Sequence, residues 1–223
     1  MPSTPIHIER MARFRAAGLY LVTSECLSAG RSTETIVQAA LAGGVRLIQL
    51  REKDLSAQAL TALARRVRAL TAAAGALLLI NDRLDIALAV GADGVHLGQD
   101  DLPIADARRL APDFILGAST HDIAEARAAE AAGASYVNIG PLFSTNTKVW
   151  TGDFLGIAGL RRIAPHVNLP FTVMGGIKAE HIPDLIGAGA HTIAIVTAIT
   201  AAPDPRAAAA ALLAAIGSHG KPE

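Results

Sequence analysis

One cysteine, Cys26, stands in 223 residues. That excludes an intramolecular disulfide and a cysteine-built zinc site. Aromatic residues amount to 4%, too few for a platform that stacks single-stranded nucleic acid. Neither sign of charge is in excess, with 20 Lys+Arg against 20 Asp+Glu. The chain therefore lacks the basic footprint expected of a partner of duplex DNA or of an anionic membrane surface. No run reaches the ~18 apolar residues that a membrane-spanning helix needs; the longest, around 76–80, is strand-sized. The first ten residues carry charges and no apolar core of a signal peptide. The seven histidines form no His-x-x-x-His pair, which argues against zinc. These absences lead to the expectation of a soluble cytoplasmic protein that binds neither nucleic acid nor membrane. What is present is apolar: 51% hydrophobic against 18% charged excludes a disordered chain, and the length allows a large core without staples.

The hydrophobic pattern alternates from end to end. Short, almost continuously apolar runs at 19–23, 47–50, 77–80, 94–97, 114–117, 136–139, 171–174 and 192–196 read as strands of a parallel sheet covered on both faces. Between them lie Ala-, Arg-, Glu- and Leu-rich segments with helical spacing, at 33–42, 57–73, 104–110, 123–132, 179–186 and 206–216, and a short connection at 82–92. Ala-Gly punctuation at 42–44, 132–133 and 188–189 reads as helix C-caps. Eight β-α units with right-handed crossovers fit an open doubly wound sheet or a closed barrel. The regularity of the units, and the lack of a Gly-x-Gly-x-x-Gly turn, favour a single (β/α)8 TIM barrel spanning 1–223. A helix over 8–17 would cover its bottom or side, and 218–223 would form a frayed tail.

In such a barrel the active site is built at the C-terminal ends of the strands, and the residues capable of chemistry gather there. Gly175-Gly176 with the Val196-Thr197 turn has the form of a phosphate cradle of backbone N–H groups, or of no more than a tight βα turn. Arg51, Lys53 and Lys148, with the hydroxyls of Ser119, Thr145 and Thr147, form a basic rim suited to phosphate oxygens. Asp82 and Asp101 follow neighbouring strands, so both carboxylates can reach one Mg²⁺; as single residues, each reads equally well as a helix cap. His96 lies inside a strand and reads as a packed residue. His121 reads as a helix-start residue, Cys26 as a bystander, and Trp150 as part of a long, mobile flap.

Taken in order, Leu19-Tyr20-Leu21-Val22-Thr23, Gln49-Leu50-Arg51-Glu52-Lys53, Asn81-Asp82-Arg83, Gly91-Ala92-Asp93-Gly94-Val95-His96-Leu97-Gly98-Gln99-Asp100-Asp101, Ser119-Thr120-His121, Gly140-Pro141-Leu142-Phe143-Ser144-Thr145-Asn146-Thr147-Lys148, Gly175-Gly176-Ile177 and Val196-Thr197-Ala198-Ile199 resemble the thiamine-phosphate synthase family. The likeness runs over roughly 19–216. Departures are Ser24 where the family usually has Asp, Ser144 and Asn146 where it has Pro, and Thr197 where it has Ser. The resemblance implies a Mg²⁺-dependent transferase acting on two small phosphorylated heterocycles. 4-Amino-2-methyl-5-pyrimidinylmethyl diphosphate and a thiazole phosphate would give thiamine phosphate and diphosphate. It further implies that Arg51, Lys53, Lys148 and Ser119 serve catalysis. Gln49 and Asn81 join them around the pyrimidine diphosphate, Asp82 and Asp101 hold the metal, and Thr145, Thr147, Gly176, Val196 and Thr197 take the thiazole phosphate. A thiazole tautomerase of the same fold would lack this complete diphosphate and metal set, and a non-catalytic phosphate-ligand sensor would have lost part of it. The sequence does not distinguish a monomer from a homo-oligomer.

Overall fold

The computed structural model describes residues 4–145, 147 and 151–219. Eight parallel strands close on themselves in chain order: β1 (Leu19–Val22), β2 (Leu47–Leu50), β3 (Leu77–Asn81), β4 (Gly94–Leu97), β5 (Ile115–Thr120), β6 (Tyr136–Ile139), β7 (Phe171–Val173) and β8 (Thr192–Ile195). The pairing of β1 with β8 seals the cylinder and leaves no sheet edge to protect. This is the expected TIM barrel.

Helices follow each strand: α2 (Thr33–Ala42), α3 (Ala57–Ala73), α4 (Leu84–Ala89), α5 (Ile104–Leu110), α6 (Ile123–Ala131), α7 (Gly156–Ile163), α8 (Ile182–Gly187), and, after β8, α9 (Thr197–Thr200) and α10 (Pro205–His219); α1 (Pro5–Ala16) precedes them. Their starts are written locally. Thr4, Ser32, Ser56 and Asp122 each accept a backbone N–H of the first turn, which removes orphan donors. At the other ends, Gly44, Gly133 and Gly189 adopt positive φ, as the Ala-Gly punctuation predicts.

Two apolar layers hold the assembly. The larger lies between the barrel and its ring of helices and joins residues such as Ile48, Leu78, Val95 and Leu116 to Ile36, Val67 and Leu185. The smaller fills the barrel interior, where Tyr20, Leu47, Leu77, Leu79, Ile115 and Tyr136 meet Met11 and Phe14 of α1. The helix is thus a plug under the barrel: the Phe14 ring lies 4.5 Å from that of Tyr136. Below the sheet, Asp93 accepts Leu78 N–H and is paired with Arg10 and Arg68, which ties α1 and α3 to the same end.

The structure differs from the sequence expectation at several element ends; the first helix, for one, begins at Pro5 rather than at residue 8. β5 runs through Ser119 and Thr120, paired with Asn138 and Ile139; the expected strand stopped at Gly117, but backbone pairing continues under hydroxylated side chains. The segment 179–186 begins as a 3₁₀ turn, Ala179–His181, before α8, because Pro183 favours the first turn of a new helix. The last helix continues through His219, so Ser218 is helical and its hydroxyl donates to Ala215 O; 220–223 lie outside the described residues. Among the described residues, no helix is long and apolar enough to cross a membrane.

Candidate active site

The strand ends open into a cavity of about 300 Å³ at the C-terminal mouth of the barrel. Gln49, Arg51, Lys53, Asn81, Asp82, Asp101, Ser119, Thr145, Thr147, Gly176, Val196 and Thr197 all line it. The structure therefore brings together every site residue expected from the sequence, apart from Lys148. Lys148, Asn146 and Trp150 lie outside the described residues.

One rim is charged. Asp82 Oδ2 lies 3.2 Å from Lys53 Nζ. Asp101 Oδ2 accepts the Gly98 N–H at 2.6 Å. Burial, and then the neighbouring Asp82 carboxyl, raise the proton affinity of Asp101. Neither aspartate caps a helix: the N-cap positions of α4 and α5 are Arg83 and Pro103, and neither makes a side-chain cap bond. Asp82 instead takes φ 60°, a left-handed conformation uncommon outside glycine that Asp tolerates, and its N–H bonds His96 O. A carboxylate pair held close at an energetic cost suits a divalent cation. Among the described residues no cluster of three or more His, Cys, Asp or Glu forms a protein cage. The two carboxylates would suit Mg²⁺, which takes one or two of them and completes its shell with phosphate and water.

Arg51 is set by a brace that the sequence reading did not find. Its N–H donates to Thr23 Oγ1, which donates to Glu52 Oε1 at 2.7 Å. Glu52 also accepts the Thr33 hydroxyl and the Glu25 N–H. This one carboxylate joins the loops after β1 and β2. Ser24 stands beside the brace rather than in it, its hydroxyl 3.3 Å from Cys26 Sγ, and Cys26 is an exposed free thiol.

The opposite rim comes from β6–β8. Gly175 and Gly176 have φ of 106° and 60°, and a Cβ on Gly176 would collide with the Ser144 carbonyl oxygen. Here glycine is needed because the loop after β6 lies directly on the loop after β7, pinned by Leu142 N–H to Met174 O and Phe143 N–H to Gly175 O. Thr145 Oγ1 bonds both the N–H and the hydroxyl of Thr147, which folds that loop toward the cavity. Thr197 opens α9, whose leading N–H groups have no partner within the helix.

His96 is the packed residue expected, and His121 donates its backbone N–H to Glu125 at the start of α6 while its ring pairs with the same carboxylate. Burial lowers the His96 pKa from its ordinary 6.5 to about 4. The unfolded chain therefore takes up a proton below pH ~6.5 that the folded protein refuses until about pH 4. His96 should remove up to about 3 kcal/mol of stability across that window, with His7, also lowered by burial, acting in the same direction and Asp101 against it. Urea unfolding at pH 7 and 4.5, with an NMR titration of the ring, checks this: a His96 ring protonated near pH 6.5 in the folded state would contradict it.

A model of the family described as thiamine monophosphate synthase matches residues 19–199. The chain is 45% identical to the thiamine-phosphate synthase of Shouchella clausii, over 89% of this chain and 95% of that protein. It is 46% identical to that of Chloroflexus aurantiacus, over 89% and 92%. Among solved structures, the thiamine phosphate pyrophosphorylase from Pyrococcus furiosus superposes with a TM-score of 0.85 at 35% identity, covering 93% of this chain and 98% of that one.

Proposed function

The chain belongs to the thiamine monophosphate synthase family, and on that premise we propose that it joins 4-amino-2-methyl-5-pyrimidinylmethyl diphosphate to a thiazole phosphate, releasing diphosphate and forming thiamine phosphate. The observation that carries this reading is the pairing of two rims in one cavity. Arg51, Lys53, Asp82 and Asp101 stand on one side, and Gly176, Val196 and Thr197 on the other. This would suit a diphosphate with its metal on one side and a second, single phosphate on the other, facing a common centre.

Asp82 and Asp101 would hold Mg²⁺, which when bound supplies positive charge to the leaving diphosphate. Arg51 and Lys53, joined by Lys148, neutralise the same oxygens as the methylene C–O bond breaks and its electron pair leaves with diphosphate. Gln49, Asn81 and Ser119 hold the pyrimidine side. The thiazole nitrogen attacks the methylene carbon with its own lone pair and becomes the thiazolium of the product. It carries no proton to lose, so no general base is required, and the remaining contribution is alignment of the two rings. We place the protein in the cytoplasm, a setting that suits its exposed unpaired thiol. Incubating the pure protein with Mg²⁺ and both heterocycles should yield thiamine phosphate and diphosphate in equal amounts. Tight binding of both compounds without product would refute the synthase reading.

The two rims should respond separately. Arg51→Ala is expected to lower the rate at saturating thiazole phosphate by about 10²-fold. Gly176→Ala pushes the 141–145 loop off its seat and should raise the KM for thiazole phosphate about tenfold, with a smaller change in kcat. Steady-state kinetics with each substrate varied in turn decides; the opposite pattern would mean that the sites are exchanged.

A further inference from the structure

Gln49 and Ser119, both used in the scheme above, are joined beneath the cavity by a line of polar groups that the scheme does not use. Gln49 Nε2 donates to the Tyr20 hydroxyl at 2.6 Å, and the Tyr20 and Tyr136 hydroxyls are 3.1 Å apart. The Tyr136 hydroxyl lies 2.8 Å from His96 Nδ1, and His96 Nε2 lies 3.0 Å from Ser119 Oγ. Both ends, Gln49 and Ser119, line the cavity, whereas neither tyrosine does; both are buried at 1% exposure or less. β5 makes room for the chain. In the register His96↔Gly117↔Tyr136, any side chain on Gly117 would occupy the space where the Tyr136 ring and the imidazole meet.

Hydrogen counting gives the chain a direction. Each hydroxyl carries one hydrogen, and a neutral imidazole carries one N–H. Tyr20 receives from the Gln49 amide, so its own hydrogen goes to Tyr136; otherwise a buried donor is left without a partner, which is costly. Tyr136 then donates to His96 Nδ1. The imidazole proton sits on Nε2 and is given to Ser119 Oγ, and the Ser119 hydrogen is left for the cavity.

We propose that Tyr20, Tyr136 and His96 are positioning residues. They fix Ser119 as a hydrogen-bond donor toward the pyrimidine diphosphate and leave the Gln49 carbonyl oxygen to accept. An aminopyrimidine offers the complementary set, an amino donor and ring-nitrogen acceptors. Because the ends are linked, neither can invert its hydrogen-bonding sense without inverting every bond between them. The substrate assignment rests on the synthase reading; the direction of the chain does not.

Two measurements test it. Long-range ¹⁵N–¹H spectra of the wild-type protein should show His96 as the Nε2–H tautomer; the Nδ1–H tautomer overturns the proposal. Tyr136→Phe keeps the ring against Phe14 and removes one oxygen. It should lower kcat/KM for the pyrimidine diphosphate about tenfold and leave the KM for thiazole phosphate unchanged. In a Ser119→Ala background the same substitution should cost less than it does in the wild type, since only the Gln49 end is then left to disturb. Additive losses would show a general packing defect and refute the role. If wild-type protein forms no thiamine phosphate, the functional reading fails, and the His96 spectrum still judges the direction of the chain.

Discussion

Asp101→Asn should reduce turnover by about 10²- to 10³-fold while leaving the protein as stable as before, or more so, when no divalent cation is present. The two effects have opposite signs because the carboxylate pair is costly to the fold. Asp101 binds its proton more tightly in the folded state than in the unfolded chain. Its contribution to stability is therefore fullest at low pH and is lost as pH rises through its raised folded pKa. At neutral pH the charged form is held against that preference, and Asn relieves it. The asparagine carbonyl oxygen can still accept the Gly98 N–H that Asp101 accepts now, so the turn closing the β4 loop survives. Activity is another matter, since the lost charge would be half of what the proposed metal site offers Mg²⁺. Asp82→Asn should act likewise on the rate, and in addition frees Lys53 from its 3.2 Å ion pair. Thermal melts with and without Mg²⁺, beside rates across a Mg²⁺ titration, separate the outcomes. Near-normal rates for both variants at limiting Mg²⁺ would end the metal assignment. A loss of activity matched by a fall in melting temperature would make the aspartates structural.

The arrangement behind that prediction was partly legible in the sequence. Apolar runs of strand length placed Asp82 and Asp101 just after β3 and β4, and a barrel admits one functional end, so the rim residues could be gathered by their position along the chain. Other features exist only in three dimensions. The left-handed backbone at Asp82 leaves no mark in an Asn-Asp-Arg stretch. Glu52 reads as part of a charged run until Thr23, Glu25 and Thr33 are seen to converge on it. Tyr20 and Tyr136 lie over a hundred residues apart and read as ordinary strand aromatics. Only barrel closure, with His96, Gly117 and Tyr136 in register, turns them into one chain with Gln49 and Ser119. The signal available was scarcity: in a chain with two tyrosines, both fall inside strands, and a buried phenol needs a partner for its hydroxyl. The glycines of the β7 loop carry the converse lesson. Gly175-Gly176 looked like room for a phosphate, and the structure shows that much of the room is taken by the loop after β6.

The second large effect concerns the order of bond breaking. Exchanging the pyrimidine ring methyl for trifluoromethyl should slow the chemical step by at least about 10²-fold, or ~3 kcal/mol in the barrier, with much less change in substrate binding. The reasoning starts from what the cavity supplies. Arg51 and Lys53 offer positive charge to a departing diphosphate, and Mg²⁺ held by the Asp82–Asp101 pair would add to it. The groups around the other reactant are the hydroxyls of Thr145, Thr147 and Thr197 and the backbone of Gly176 and Val196, none of which activates a nucleophile. The imidazole against the pyrimidine side, His96, is buried and held neutral, with both ring nitrogens engaged, and the ring of His121, which also lines the cavity, bonds Glu125. Such a site lowers the cost of C–O cleavage more than it sharpens the attack, so positive charge should build on the methylene carbon before the new C–N bond forms. That charge is shared with the pyrimidine ring, and an electron-withdrawing substituent raises its energy directly. Direct displacement would leave little charge on the carbon, and the rate would follow the thiazole nucleophile instead. Single-turnover rates at saturating thiazole phosphate isolate the step from binding and product release. A steep fall with unchanged affinity supports cleavage first; an essentially flat response would exclude the cation while leaving the transferase activity intact.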